Sequence, residues 1–430
     1  MGRPSGFMKM NKFGAYKLYL ALSFFTSLFF SMIFVVMSFY EATVAGLSGL
    51  QLVLVGTTLE VVILFFEVPT GIVADAYSRR LSIVIGYFIM GLAFVVEGLF
   101  PYFGTILLAS GLWGLGYTFT SGATQAWLSD EIGEEAANRA FLRANQFDLA
   151  GAFIGMLIAI PLGNLAVRLP ILAGGVAIFL FAVVLAVFMP ETRFAPIKPE
   201  NRNTFQHMGD IFRKGLSTVR ARPALMAVLG VGFIYGLYSE GWDRLWVKYL
   251  VDNFTLPSIF GMNEVAFLGF LRAGGMLLSI LVTNRVEKHL DANHAPSIAK
   301  GMLWLTGLLA LAIFTFALAP SLGVASALAL AVASVLLVNV TRNVLGPLYD
   351  AWVNQRLDSG TRATVISMSG QVDAIGQIAS GPLAGVVSLW SVQAAITFAS
   401  LLITPALPLI GRANRLHAEE IPEAESLPVD

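Results

Sequence analysis

The sequence contains no cysteine and few charged residues. Without cysteine, disulfides, thiolate metal sites and cysteine nucleophiles are all excluded. Charged residues make up 13% of the 430 residues, whereas a soluble domain carries about a quarter. Lysine plus arginine and aspartate plus glutamate number 27 each, so the net charge of zero gives no reason to expect nucleic acid as a partner. With 57% hydrophobic residues, the chain is typical of a protein whose main solvent is lipid.

Histidine is also scarce, and it occurs only in polar connecting or terminal segments. The four positions are His207, His289, His294 and His417. We therefore expect no histidine-based metal site within the membrane, and no cofactor. The sequence has no Gly-Lys pair, which the phosphate-binding loop of an ATP-driven pump requires. An intramembrane enzyme would need a nucleophile with a base, or metal ligands, at membrane depth. The sequence thus favours neither a pump nor an enzyme, and no repeated filter indicates a channel.

What the chain does have is long apolar runs. A helix needs about 20 mostly apolar residues to cross a hydrocarbon core of about 30 Å. This length predicts an all-α integral membrane protein with about twelve transmembrane helices. The predicted spans are 16–40, 50–74, 81–100, 103–127, 141–165, 169–190, 224–250, 264–287, 299–319, 322–349, 365–389 and 391–411. The first apolar run is too long for the core of a signal peptide, so we interpret it as an uncleaved span.

Polar segments divide the chain into two halves, a linker and a tail. We predict an N-terminal six-helix half at 1–190, a cytoplasmic linker at 191–223, a C-terminal six-helix half at 224–411 and a disordered cytoplasmic tail at 412–430. An amphipathic helix is expected within the linker at 205–219. Lysine and arginine are retained on the cytoplasmic side of membranes, and most of them fall in the tails or in alternate connections. We therefore expect a monomer in the plasma membrane, a bacterial inner membrane, with both termini in the cytoplasm.

The two halves carry an internal repeat. Four residues of the first half recur in the second with one constant offset: Trp127 and Trp352, Gln146 and Gln371, Asp148 and Asp373, Gly151 and Gly376. The offset places span 4 opposite span 10 and span 5 opposite span 11. The halves should therefore run in the same direction across the membrane, an architecture known among secondary transporters.

The connection between the second and third spans reads EVPTGIVADAYSRR over residues 67–80. Gly71 would permit close helix approach, and Asp75 could accept hydrogen bonds from a helix N-terminus. Arg79 and Arg80 could clamp carboxylates or anchor at lipid phosphates. This segment resembles the loop Gly-x-x-x-Asp-x-x-Gly-Arg-Arg/Lys of the major facilitator superfamily, with Ser78 where a second glycine is usual.

The resemblance extends over the twelve spans, the central linker and the repeat. It implies that Gly71, Asp75, Arg79 and Arg80 form a conformational latch, and that the chain is a transporter similar to drug/proton antiporters. The antiporter signature is incomplete. Ser110 stands where proton-linked members often have arginine before a Gly-x-Gly, and the fullest Gly-Pro motif is residues 381–385 in span 11.

Ionisable and polar residues inside predicted spans are candidates for proton coupling or substrate binding, because burying them in lipid is expensive. The coupling or substrate candidates are Glu60, Glu67, Asp148, Arg272, Asn339, Arg342, Asn343 and Asp373. Glu60 is the first choice for a coupling carboxylate and Asp373 the second. For Glu67, Asp148, Arg342 and Asp373 the alternative is structural or gating ion pairs. The resemblance implies that Glu67 and Asp373 lie in the latch beside Asp75 and that Asp148 can pair with Arg342.

The outer ends of spans 1 and 7 carry a second group of polar residues. The candidates for an outer gate are Tyr40, Glu41, Glu240, Asp243 and Arg244. Glu240 and Arg244 are four residues apart and can share a helix face. The alternative is an interfacial aromatic belt with a surface ion pair.

These observations predict a secondary active transporter that moves a small organic solute by alternating access. The first expectation is proton-coupled efflux of an amphipathic or drug-like compound. The alternative is proton- or ion-coupled uptake of a small metabolite. The expected partners are the solute, protons and the lipid bilayer.

Overall fold

The computed structural model describes residues 5–196, 213, 216–217, 219–287, 295–354 and 359–419, and these are almost entirely helical. The all-α fold class is therefore confirmed. Within the described ranges, eleven helices are long and apolar enough to cross a membrane. The predicted helix at 205–219 and the tail at 420–430 lie largely outside the described residues. The predicted disorder is wrong for 412–419, which are helical.

Two compact units make up the structure. The first unit comprises Met1–Glu200 and Thr255–Ala273. Its helices are α1 (Ser5–Phe39), which continues as a π-helical turn (Tyr40–Val44), α2 (Gly49–Ala76), α3 (Arg79–Leu99), α4 (Phe103–Thr120), α5 (Ala123–Ile132), α6 (Glu134–Leu165) and α7 (Leu169–Phe188).

The second unit comprises Asn201–Phe254 and Gly274–Asp430. Its helices are α8 (Pro223–Asn253), the later part of α9 (Glu264–Glu287), α10 (Ala295–Leu318), α11 (Val324–Asn354), α12 (Ser359–Trp390), α13 (Val392–Leu402) and α14 (Ala406–Glu419). The first part of α9 belongs to the first unit, where the backbone N–H of Asn263 donates to Asn164 Oδ1 at 2.9 Å.

Two predicted spans are interrupted. Span 4 was expected to continue to residue 127, but α4 ends at Thr120 because Gly122 adopts a positive φ of 70° and starts the separate helix α5. Span 12 breaks between α13 and α14 at Thr404 and Pro405, since proline cannot donate the backbone hydrogen bond that continues a helix. The break after α4 presents the short helix α5 beside the connection between α2 and α3.

The sequence repeat reappears as the same helix contact in each unit. Gly151 of α6 lies against the carbonyl of Phe24 on α1, and Gly376 of α12 lies against the carbonyl of Phe233 on α8. A Cβ at either glycine would collide with that carbonyl, so the absence of a side chain allows the two helix backbones to touch. Each unit therefore contains one equivalent glycine-mediated pair, α1 with α6 and α8 with α12.

We expect Gly376→Ala to destabilise the second unit by about 1–3 kcal/mol, because the added methyl overpacks a backbone contact. It would also lie 3.0 Å from the backbone nitrogen of Leu237. Gly370→Ala on the same helix is the control, since a Cβ there meets nothing within 4 Å. Thermal unfolding in detergent measures both variants. Equal melting temperatures would contradict the glycine-mediated contact.

Candidate functional site

A cavity of about 630 Å³ lies within the second unit. Three helices, α8, α11 and α12, form its wall, and each contributes polar or aromatic side chains. The lining residues include Gly232, Tyr235, Tyr238, Ser239 and Asp243 of α8, Arg342, Tyr349, Asp350 and Asn354 of α11, and Ser369, Asp373 and Gln377 of α12. Cavities of roughly 300–1,000 Å³ typically accept one small organic molecule.

Asp243 holds Arg342, the only cation among the described residues that line the cavity. Both terminal nitrogens of the guanidinium donate to the carboxylate, Nη2 to Oδ2 at 2.9 Å and Nη1 to Oδ1. The guanidinium carbon also lies 5.9 Å from the centroid of the Tyr238 ring. The sequence placed these two residues in different groups, Asp243 at an outer gate and Arg342 with Asp148. The structure gives Arg342 a different partner, because packing brings α8 and α11 together.

Asp373 faces the same cavity. Its carboxylate accepts a hydrogen bond of 2.8 Å from Gln377 Nε2, and its backbone lies against Gly236 of α8. Its repeat counterpart in the first unit, Asp148, accepts instead from the hydroxyl of Ser27 at 3.0 Å. Ser27 and Gly236 lie three residues beyond Phe24 and Phe233, so they are equivalent positions. Because Gly236 has no side chain, this position offers no hydroxyl to donate a hydrogen bond to Asp373.

Three tyrosines form an aromatic wall. The ring centroids of Tyr235 and Tyr349 are 5.9 Å apart, and those of Tyr235 and Tyr238 are 6.3 Å apart. Two of the hydroxyls are hydrogen-bonded, Tyr235 to Thr306 at 2.7 Å and Tyr349 to Ser369, which also lines the cavity, at 2.9 Å. The rings are thereby fixed in position.

Sequence reasoning missed Tyr349 and Asp350 as cavity residues. A signal was available, because Arg342, Tyr349 and Asp350 lie seven and eight residues apart and so share one face of α11. The α8 residues of the cavity, including Tyr235 and Tyr238, are likewise three, four or seven residues apart, so they also share one helix face.

The remaining candidates of the second unit lie away from this cavity. Glu240 and Arg244 form the expected pair at 3.3 Å, with Glu240 only 2% exposed. Asn343 donates to the hydroxyl of Ser279 on α9 at 2.9 Å, and Asn339 lies beside Gly275 of the same helix. Neither asparagine is among the residues that line the cavity.

In the first unit, Tyr40 and Glu41 occupy the π-helical turn at the end of α1 and are buried. The Tyr40 hydroxyl donates to the backbone carbonyl of Glu97 at 2.7 Å. A single π-helical turn inside an α-helix is rare and often marks a functional position. Glu97, itself buried on α3, was not recognised from the sequence.

The coupling candidates Glu60, Glu67 and Arg272 are each half-buried in this unit.

The predicted latch residues lie between α2, α3 and α5. Arg79 forms ion pairs with Asp130 of α5 at 2.5 Å and with Asp75 at 3.6 Å. Asp130 was missed because the sequence did not reveal α5 as a separate helix. Arg80 donates to the backbone carbonyl of Ala186.

Gly71 shows no close helix contact among the described residues, since a Cβ built on it would meet no described atom within 4 Å. Its role in a latch stays a prediction. Among the described residues, close approach in the first unit occurs instead at positions such as Gly151 and Gly155 of α6, each against a carbonyl of α1.

Ser78, the departure from the usual loop, caps helix α3 and binds the linker. Its hydroxyl accepts from the backbone of Leu81 at 2.9 Å and donates to Glu191 at 2.5 Å. Glu191 also accepts from the backbone N–H of Arg80 at 2.9 Å. The start of the linker is therefore fixed to the latch loop.

We expect Ser78→Ala to lower stability by about 1 kcal/mol through loss of the cap and to speed tryptic cleavage after Arg193, two residues beyond Glu191. Ser391→Ala is the control, because Ser391 also caps a helix, accepting from Ala394 at 3.4 Å. Mass spectrometry of timed digests measures the cleavage. Equal cleavage rates in the two variants would argue against fixation of the linker by Ser78.

Comparison with known proteins supports the architecture. A family model described as Major Facilitator Superfamily matches residues 19–381. An uncharacterised MFS-type transporter of Bacillus subtilis, YxaM, is 26% identical over 349 residues, covering 79% of this chain and 81% of its own length.

Solved structures show the same fold. A bacterial homologue of the human lysosomal transporter Spinster, in an inward-facing and unoccupied conformation, superimposes with a TM-score of 0.69 at 14% identity, covering 97% of this chain and 99% of that one. The nucleoside transporter NupG gives 0.66 at 13% identity, covering 94% and 99%. A POT family transporter in complex with a thioalcohol-conjugated peptide gives 0.71 at 12% identity, covering 94% and 96%.

Proposed function

The chain belongs to the Major Facilitator Superfamily, and from this premise we propose that it expels an amphipathic organic compound in exchange for protons. The solute would occupy the cavity of the second unit during an alternating-access cycle. A single observation carries the proposal: Asp373, a carboxylate able to take up and release a proton, faces a cavity with an aromatic wall.

Asp373 supports this role better than Glu60, the first choice from the sequence. A coupling carboxylate must meet both the proton and the solute, and Asp373 lines a cavity large enough for a solute. Asp148, its repeat counterpart, also has a neutral hydrogen-bond partner, the hydroxyl of Ser27, as Asp373 has the amide of Gln377, but Asp148 is not among the residues that line the cavity. A neutral partner tolerates both the charged and the protonated carboxyl.

In the proposed cycle, the proton and the solute share one binding position, the carboxylate of Asp373. A proton on Asp373 neutralises the carboxylate and weakens its attraction for the solute, so proton and solute compete for one site. Protons entering from the outside would release the solute there, and loss of the proton to the cytoplasm would restore the binding form. Exchange then needs no direct contact between proton and solute.

Transport by purified protein in liposomes tests the proposal. With an imposed pH gradient and a panel of amphipathic compounds, we expect solute movement against its gradient, and collapse of the pH gradient by a protonophore should stop it. Solute accumulation that survives the protonophore would reject proton coupling. Ion flux without exchange would indicate a channel instead.

Uptake of a small polar metabolite by symport is the second candidate. The polar groups of Ser239, Gln377 and Asn354 in the cavity favour it. The direction of movement decides between the two, because a symporter accumulates solute on the side that protons enter and an antiporter depletes it there.

We also propose that the protein acts as a monomer in a bacterial plasma membrane with both termini in the cytoplasm. The distribution of lysine and arginine supports this orientation. Reporter fusions at each terminus and light scattering of the purified protein test the orientation and the monomer separately.

A further inference from the structure

The charges lining the cavity of the second unit do not balance. Three carboxylates, Asp243, Asp350 and Asp373, accompany one guanidinium, Arg342. Asp243 already holds that guanidinium through two hydrogen bonds. Asp350 and Asp373 form no ion pair among the described residues, although Arg342 lies close enough to Asp373 to interact with its charge, and Asp373 accepts its hydrogen bond from the neutral amide of Gln377. Among its described lining residues the cavity therefore carries surplus negative charge, and clefts lined by one sign of charge concentrate ligands of the opposite sign.

The aromatic wall offers ring faces as well as hydroxyls. The hydroxyls of Tyr235 and Tyr349 are already hydrogen-bonded to Thr306 and Ser369. Gly232 leaves room for the Tyr349 ring, because a Cβ there would lie 2.8 Å from its Cζ. Tyrosine faces attract organic cations through their ring quadrupole, and this attraction strengthens when the cation is desolvated.

We infer that the cavity takes an organic cation, a quaternary or protonated ammonium or phosphonium carried on an aromatic or apolar body. This inference rests on the proposed function of the cavity as the solute site. Asp350 and Asp373 attract the positive charge, and the rings of Tyr235 and Tyr349 contact the body of the solute. Asp350 selects by charge without taking part in proton exchange, since Asp373 performs that exchange.

The Asp243–Arg342 pair adds discrimination against anions. An anionic solute could bind the guanidinium only by displacing Asp243, which would leave a third carboxylate without a cation inside the cavity. Leaving a charge unpaired is one means by which a site rejects a wrong ligand. The site thus prefers cations for two separate reasons, attraction by two carboxylates and exclusion by a closed ion pair.

Binding of radiolabelled tetraphenylphosphonium to the purified full chain tests the inference, with tetraphenylborate as an anion of the same shape. We expect the phosphonium to bind and the borate to compete poorly. Asp350→Asn should weaken phosphonium binding roughly tenfold, and Asp350→Glu should restore most of it. Tyr349→Leu should weaken binding by a similar factor. Asp252→Asn is the control, because Asp252 pairs with Lys248 outside the cavity at 3.2 Å.

Equal binding of the two probes, or phosphonium binding unchanged in both Asp350→Asn and Tyr349→Leu, would overturn the inference. The test is separate from that of proton coupling, because it uses no pH gradient. Phosphonium binding without proton-driven transport supports the cation site and rejects the coupling. Proton-driven transport of neutral compounds by a protein that does not bind phosphonium rejects the cation site alone.

Discussion

Asp373→Asn is expected to lower proton-driven transport by at least about a hundredfold, while solute exchange continues at saturating solute concentration, because the neutral side chain binds the solute more weakly, as the protonated carboxyl does. Asparagine keeps the size of the side chain and its contact with Gln377, but it cannot take up or release a proton. Coupling therefore stops, whereas movement of solute in both directions at equal pH needs no change in protonation. A hundredfold loss corresponds to about 2.7 kcal/mol, within the range of one essential group.

The matched control is Asp148→Asn, the same change at the repeat counterpart. Asp148 accepts from Ser27 in the first unit; asparagine keeps an oxygen that can accept this hydrogen bond, and the cavity of the second unit stays intact. Gradient-driven uptake and counterflow in the same liposomes measure both variants. Unimpaired gradient-driven transport in Asp373→Asn, or equal losses in the two variants, would assign coupling to another group, with Glu60 the next to test.

Helices and the repeat could be predicted from the sequence because both depend on local pattern. Apolar length indicated the spans, and the constant offset between Asp148 and Asp373 identified equivalent helices. Gly122 shows where this fails. A single positive φ ends α4 early and creates α5, and no change in apolar composition marks it.

The candidate site was predictable only in its parts. Asp373 and Arg342 were recognised because charges are rare within apolar runs. The partner of Arg342 was not, because Asp243 lies on another helix and the contact depends on how α8 packs against α11. Tyr349 and Asp350 were overlooked because aromatic and exposed acidic residues are common near helix ends. These two residues matter because they lie on the face of α11 that lines the cavity.

The ion pair of Asp243 and Arg342 supplies the second large prediction. Each single change, Asp243→Asn or Arg342→Gln, leaves one charge of the pair without its partner inside the membrane. Breaking a fully buried pair costs about 3–5 kcal/mol. The side chains are 42% and 33% exposed to the cavity, so solvent screening reduces the expected loss to about 1–3 kcal/mol. The double variant, which carries neither charge, should recover most of this loss.

The two single variants should also differ from each other. Arg342→Gln leaves Asp243, Asp350 and Asp373 with no cation among the described lining residues, whereas Asp243→Asn leaves the guanidinium with the nearby charge of Asp373. Arg342→Gln should therefore be the less stable of the two in neutral buffer. Melting temperatures of the wild type, both single variants and the double variant form a double-mutant cycle. Additive losses in the cycle would show that the two charges contribute independently, and the pair would then have no role in keeping the cavity closed to anions.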